Sequence, residues 1–346
     1  MISEIIAKLQ QKTDLNYDEM NSVMTDILSG KTDDEQNTEF LSCLAEKGET
    51  DDELLGMLDK MQEFSLKVQT KNRGTIIDMC GTGGDKIRTF NVSTTASFVV
   101  AAAGGIVAKH GNRSSSGISG SADIFEYFGY DLNLEPAQIS EILLKHNICF
   151  MFAQKFHPAM KHVSKVRKQL GRRTAFNLLG PLSNPAGVKN QLIGVSSIEY
   201  LDRLPAILKR RGSQNIMTVR SDDGMDEFST SAANRVCILR NNKVLMNVID
   251  PVVVGLHKSR LEDIQIKTKE EAIKSFVGVL NNTATQAMIE TTALNAAGGL
   301  IVADIANNFE EGVDIALNTI KDGKAFSLLE KFVADTGDIS KLNELV

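Results

Sequence analysis

Apolar and polar positions divide the chain into two textures. Residues 1–70 read as helix after helix, with no stretch that suggests a strand. Asn16 is placed to cap a helix, with Glu19 reaching back to the cap N–H and Leu15 and Met20 at the staple positions around it. Thr50 and Glu53 repeat the capping pattern, and Leu54, Met57, Leu58 and Met61 then form an apolar stripe at helical spacing. Such a stripe serves a core or a subunit interface far more often than a cofactor.

From residue 75 short apolar runs alternate with helical patterns. Residues 76–80, 106–108, 149–153, 192–195 and 216–219 are strand candidates, and Val244, Leu245, Val248 and Ile249 suggest a strand pair turning at Asn241 and Asn242. Helical patterns cover 93–103, 122–128, 158–170, 198–210, 281–297, 301–309 and 325–332. This predicts an α/β body in which helices cover a sheet. Residues 174–182 read poorly as a strand before the break at Asn184, Pro185, Ala186 and Gly187. The expected domains are therefore a helical one over 1–70, joined by part of 170–190, and an α/β one over 75–346.

Bulk chemistry narrows the function. With 346 residues, 42% of them hydrophobic, the chain can bury the cores of two domains. A net charge of −6 and the absence of Trp argue against a general nucleic-acid surface, so any anion site must come from local chemistry. Four cysteines with no C-x-x-C spacing suit buried thiols in a reducing compartment. The start Met1, Ile2, Ser3, Glu4 lacks a basic region followed by an apolar core, and no apolar run reaches membrane-spanning length. A soluble cytoplasmic protein without membrane or nucleic-acid partners is expected.

The first candidate chemistry lies at the end of the first strand. Gly81, Thr82, Gly83, Gly84 and Asp85 follow the run 75–80, and Ser93 and Thr94 open a helix of small residues shortly afterwards. Glycines let the backbone turn several N–H groups toward an anion, and a helix start adds unpaired N–H groups and a positive dipole end. The loop is neither a Walker A loop nor a G-x-G-x-x-G fingerprint, and alone it is equally a tight turn without a ligand. Lys109, His110, Gly111, Asn112 and Arg113 follow the second strand, where open α/β sheets bind ligands, although a solvated loop has the same composition. Lys109 offers a point charge and Asn112 an amide. The serine-rich run 114–121 ends at Ser121, either a simple cap or a phosphate contact.

His157 precedes Pro158 at a helix start, and Arg167 lies later on that helix. A guanidinium is the group to expect where a planar carboxylate is held by two parallel hydrogen bonds. Asp226 and Glu227 offer hard oxygens suited to magnesium carried by a phosphate-rich substrate, with a solvated acidic turn as the plain alternative.

Taken together, Gly81-Thr82-Gly83-Gly84-Asp85, Asn91-Val92-Ser93-Thr94, Lys109-His110-Gly111-Asn112-Arg113, Ser119-Gly120-Ser121-Ala122-Asp123, Phe156-His157-Pro158-Ala159-Met160-Lys161, the run 176–185, Asp223-Gly224-Met225-Asp226-Glu227 and Leu294-Asn295-Ala296-Ala297 resemble the anthranilate phosphoribosyltransferase family of tryptophan biosynthesis. Their order and spacing carry the resemblance across nearly the full chain. It implies a small all-helical N-terminal domain at a homodimer interface and a large α/β domain with a central mixed sheet flanked by helices. The implied substrates are anthranilate and phosphoribosyl pyrophosphate (PRPP), with Mg2+, in two ions, as cofactor. Gly81 to Asp85, Thr89, Asn91, Ser93, Thr94, Lys109, Gly111 and Ser121 are implied to surround PRPP, and Ser93, Asp226 and Glu227 to hold the metal. His110, Asn112, His157, Arg167, Gly180 and Pro181 are implied to line the anthranilate route, with Lys109, Asn112 and Arg167 carrying the catalytic role. Ile118 departs from the family's usual lysine, and Gly298 and Gly299 stand where alanines are usual. A nucleoside phosphorylase of similar fold, or a catalytically idle ligand sensor, remains the rival reading.

Overall fold

The computed structural model describes residues 2–70, 74–85, 87–114 and 117–346. Ser115 and Ser116 of the serine-rich run lie outside the described residues. The chain forms two compact units, Met1–Lys67 with Ala153–Gly187, and Val68–Phe152 with Val188–Val346.

The first unit is helical. Helices Ile2–Gln10, Tyr17–Leu28, Asp34–Lys47 and Asp51–Glu63 are joined later in the chain by Ala153–Phe156, Lys161–Leu170 and Ala175–Leu182. Asn16 accepts from the Glu19 N–H while the Glu19 carboxylate accepts from the Asn16 N–H, closing the expected capping box. Thr50 and Glu53 form the second box, and Glu53 does more. Fully buried, its carboxylate also accepts from the Leu15 N–H at 2.9 Å and from Lys47 at 3.0 Å. One buried charge thereby ties three segments together with its lone pairs satisfied. The stripe Leu54, Met57, Leu58 and Met61 is buried. The run 174–182 is a helix capped at Thr174, with Pro181 one residue before its end.

The second unit is built on a seven-stranded sheet: β1 (Ile76–Gly81), β2 (Ile106–Gly111), β3 (Ile148–Phe152), β4 (Asn190–Gly194), β5 (Asn215–Ser221), β6 (Asn234–Arg240) and β7 (Lys243–Ile249). The order is β3-β2-β1-β4-β5-β6-β7, parallel through β5 and antiparallel beyond it. Asn241 and Asn242, both with positive φ, make the two-residue turn between β6 and β7. Met79, Leu192 and Met217 share a register row, and the next row holds Cys80, Ile193 and Thr218. Helix Gln286–Val302 meets the first row, since a Cβ on Gly299 would lie 2.8 Å from the Met79 sulfur. Helix Tyr200–Arg210 meets the second, where the Thr218 hydroxyl donates to the Leu201 carbonyl. Helices therefore cover both faces, as a parallel sheet requires.

Two helical readings need correction. Residues 281–284 form a turn with Asn282 at φ 57, and the helix starts at Gln286 behind the Thr285 cap and runs to Val302. Residues 303–308 break the chain before Phe309–Lys321, because Asp304 sits at φ 59 and Asn308 caps the next helix. Helices Pro136–His146 and Lys269–Leu280 went unread. In each, polar residues dilute a narrow apolar stripe.

Candidate active site

The site in the α/β unit begins where β1 and β4 end side by side, with Gly81 paired to Gly194. Beyond them the Thr82 N–H donates to the Gly194 carbonyl at 2.8 Å, and Thr82 Oγ1 accepts from the Ser196 N–H at 3.2 Å. Gly83 and Gly84 then adopt φ of 64° and 91°, which side-chain-bearing residues rarely do. That bend sends the Gly83 N–H to Asp226 Oδ2 at 2.8 Å. A Cβ on Gly81 would lie 2.8 Å from the same oxygen, and one on Gly194 only 1.4 Å from the Asp226 carbonyl. Missing side chains at both strand ends are what let the acidic turn close over them.

Glu227 continues the contact. Its Oε1 accepts from the Ser93 N–H at 3.1 Å, at the first turn of helix Val92–Ala102, where the helix dipole favours an anion. Asn91 leaves that helix without a side-chain cap and donates instead to the Ser119 carbonyl at 3.1 Å; its buried Oδ1 has no hydrogen-bond partner among the described residues. A buried acceptor without a donor suits a site that a ligand completes. Thr94 donates to the Ser121 hydroxyl at 3.0 Å, bringing two helix starts together.

Lys109 on β2 is 1% exposed, and its ammonium donates to the Met79 carbonyl at 2.6 Å with the Ser93 hydroxyl at 3.5 Å. Its register partner on β3, Phe150, stacks on Phe125. The N–H of His110 donates to the buried Asp78 carboxylate at 3.1 Å. Gly111 admits helix Ser121–Tyr127, since its Cβ would meet Ser121 at 3.1 Å. Exposed Asn112 accepts through Oδ1 from the Arg113 N–H. The Arg113 guanidinium forms a two-pronged pair with Glu126 at 2.6 and 2.7 Å, so this cation belongs to the loop's own architecture. Thr89 bridges Gln265 and anchors the far end of the glycine loop.

The charges are unbalanced. Burial and the neighbouring Asp226 push the Asp85 carboxyl up to about 7. Burial, then Asp226 and Asp85, push Glu227 well above the usual carboxylate range. Burial lowers the Lys109 ammonium, opposed by Asp78, Cys80 and Glu227. Asp226 and Glu227, adjacent on one turn beside a buried ammonium, offer hard oxygens of the kind a divalent cation takes. Among the described residues no three metal-binding side chains converge as a complete site, so phosphate or water oxygens would have to supply the remaining ligands.

His157, Arg167, Gly180 and Pro181 belong to the helical unit. His157 is buried, with Nε2 3.4 Å from the Ser183 hydroxyl, and burial plus the charge of Lys67 lower its pKa to about 4. The Arg167 guanidinium lies over the Phe176 ring at 5.3 Å, and burial lowers its pKa. No carboxylate pairs with it among the described residues. Gly180 receives two bonds at its carbonyl, from the N–H and the hydroxyl of Ser183.

Sequence reasoning missed Asp78, Gly194, Ser196 and the contact of Asn295 with Phe228. Gly194 ends an apolar run and precedes Val195, Ser196 and Ser197, a strand-to-loop signal of the kind read at Gly81. Asp78 lies inside an apolar run, where a buried carboxylate has no pattern to announce it.

Two family models match the chain: a glycosyl transferase family helical bundle domain over residues 3–65 and a glycosyl transferase family a/b domain over 73–326. The anthranilate phosphoribosyltransferase of Nitrosopumilus maritimus (strain SCM1) is 84% identical over 345 residues, covering 100% of this chain and 99% of that protein. The crystal structure of the Thermus thermophilus enzyme superposes with a TM-score of 0.89 at 35% identity, covering 95% of this chain and 98% of that one. The Saccharomyces cerevisiae enzyme in complex with PRPP and Mg superposes with a TM-score of 0.86 at 26% identity, covering 97% of both chains. The chain belongs to the anthranilate phosphoribosyltransferase family of glycosyl transferases.

Proposed function

We propose that the chain transfers the phosphoribosyl group of PRPP to the amine of anthranilate, giving N-(5-phosphoribosyl)anthranilate and pyrophosphate. The observation that carries this reading is the closure of Asp226 and Glu227 onto the N–H groups of Gly83 and Ser93, beside buried Lys109. Backbone donors, an ammonium and hard carboxylate oxygens meet at one sheet end, which is the donor set a metal-bound diphosphate needs.

In this reading the glycine-loop N–H groups, Asn91, Thr94 and Ser121 orient the ribose phosphate and diphosphate, with Asp85, Thr89 and Gly111 shaping the same surface. Lys109 sets positive charge beside the leaving group. Ser93, Asp226 and Glu227 would hold Mg2+, in two ions, and it would neutralise charge on the diphosphate oxygens. The anthranilate nitrogen attacks C1 of the ribose on the face opposite the diphosphate. The C1–O bond breaks, its electron pair leaves with pyrophosphate, and the new N–C1 bond forms with inversion. The nitrogen then releases one proton. The aromatic amine is already a neutral nucleophile, so positioning and charge stabilisation carry the rate rather than a strong base. Within the helical unit, Arg167 is the proposed partner of the anthranilate carboxylate, with His157, held neutral at pH 7, and Gly180 and Pro181 as proposed anthranilate contacts; His110 and Asn112 are proposed anthranilate contacts on the α/β unit.

The acting form is a homodimer through the helical unit, which sedimentation at micromolar concentration checks. Among the described residues no helix is long and apolar enough to cross a membrane. Mixing the protein with anthranilate, PRPP and Mg2+ should consume the fluorescent amine and release pyrophosphate in equal amounts. Phosphorolysis of a pyrimidine nucleoside in place of that reaction would favour the phosphorylase, and binding without turnover the sensor.

A further inference from the structure

Asp226 and Glu227 sit on a turn, and a turn carrying two repelling carboxylates needs something to hold it. Glu227 is followed by Phe228, whose backbone is gripped from both sides by Asn295 on helix Gln286–Val302. The Phe228 N–H donates to Asn295 Oδ1 at 3.0 Å, and Asn295 Nδ2 donates to the Phe228 carbonyl at 2.7 Å. The same Nδ2 donates to the Thr291 carbonyl at 2.8 Å, one turn back on its own helix, so the amide cannot swing away without losing a second bond. Asn295 is 3% exposed and Phe228 fully buried.

The ring of Phe228 completes the grip. It packs edge-on against Phe309 at 5.2 Å, and a Cβ on Gly298 would lie 2.8 Å from its Cε2. Helix Gln286–Val302 thus fixes both the backbone and the side chain of the residue after Glu227, while Gly194 confines the Asp226 carbonyl from the sheet side.

We infer that Asn295 is a positioning residue for the metal-binding carboxylates: through Phe228 it sets where Asp226 and Glu227 present their oxygens. This rests on the transferase reading above. An amide is the side chain suited to the task, because gripping one residue's N–H and C=O together takes a donor and an acceptor on one short planar group.

The test compares wild type with Asn295→Ala and Asn295→Ser, the second keeping a small polar group in case the alanine variant does not fold. Leu329→Ala, a buried core change on helix Lys324–Thr336, is the control for lost stability alone. PRPP binding is measured by calorimetry at limiting and at saturating Mg2+, alongside the Mg2+ dependence of transfer. The Asn295 variants should weaken PRPP binding about ten-fold at limiting Mg2+, recover at saturating Mg2+, and leave the anthranilate KM unchanged. Leu329→Ala should lower Tm without moving the Mg2+ requirement. Equal weakening at both Mg2+ levels, no weakening, or the same shift in Leu329→Ala overturns the inference. A wild-type protein that binds no PRPP defeats the transferase reading instead, a separate and distinguishable result.

Discussion

Asp226 accepts a hydrogen bond from the N–H of Gly83 at 2.8 Å across 143 residues of chain. Two segments that look unrelated in sequence, a glycine loop and an acidic turn, form one surface. The contact also explains how a phosphate-type nest can sit beside carboxylates without electrostatic contradiction. The amides that would face a diphosphate already stabilise the acid that would hold its metal.

Gly194 tests how tightly that surface is built. Its added Cβ would fall 1.4 Å from the Asp226 carbonyl oxygen and 2.6 Å from its carbon, so backbone must move. At Gly81 the nearest obstacle is a side-chain oxygen at 2.8 Å, which can rotate. Gly194→Ala should therefore lower stability by about 2–3 kcal/mol and weaken PRPP binding, while Gly81→Ala costs about 1 kcal/mol or less in stability. Urea denaturation with calorimetry checks this. Equal tolerance of both substitutions would mean the turn is not seated against β4.

Replacing Asp226 and Glu227 by their amides separates function from stability. Glu227 is driven toward its neutral form by burial and by Asp226 and Asp85, so the pair is a site of stored repulsion. The double variant should lose Mg2+-dependent turnover by about 100-fold, yet its Tm without ligand should not fall. Wild-type activity across a full Mg2+ titration would remove these residues from the metal site.

Much of this was legible before the fold was known, for particular reasons. Gly83, Lys109 and Asp226 announce themselves because glycine, lysine and aspartate are conspicuous at strand ends, where chemistry gathers. The capping boxes at Asn16 and Thr50 were readable because both partners lie within three residues. Asn295 was not readable in this way. It sits in a helix of small and apolar residues, and its partner Phe228 lies 67 residues away. Gly194 was missed because its requirement comes from a carbonyl on another segment, not from its own dihedral angles. Contacts made only by tertiary packing leave no local periodicity to find.

His157 supplies a pH dependence with a definite sign. Its folded-state pKa of about 4 lies below the usual histidine value because burial and Lys67 disfavour the imidazolium. The unfolded chain then binds more protons between about pH 4 and pH 6.5, so stability rises with pH through that window and is lost as pH falls toward 4. His157→Gln should flatten this part of the profile by on the order of 1–3 kcal/mol, read from denaturant melts at pH 4.5 and 7. An unaltered slope in the variant would show that the imidazole is not held neutral.

In the proposed reading, Arg167 is the residue that recognises the acceptor's carboxylate. Its guanidinium lies over Phe176, is lowered by burial, and has no carboxylate partner among the described residues. A half-buried cation in that state gains by meeting an anionic ligand, and the fork geometry of arginine matches a carboxylate. Arg167→Ala should cost about 2–3 kcal/mol in kcat/KM for anthranilate, roughly 30- to 150-fold. Arg167→Lys should recover only part of it, because an ammonium cannot make the paired contact. Anthranilamide, which keeps the amine but replaces the carboxylate by a neutral amide, makes the test specific. If the guanidinium reads the carboxylate, anthranilamide is a poor substrate for wild type and is scarcely affected by Arg167→Ala. If both acceptors lose activity equally, Arg167 supports the helical unit rather than the substrate, and selectivity must reside elsewhere on the route.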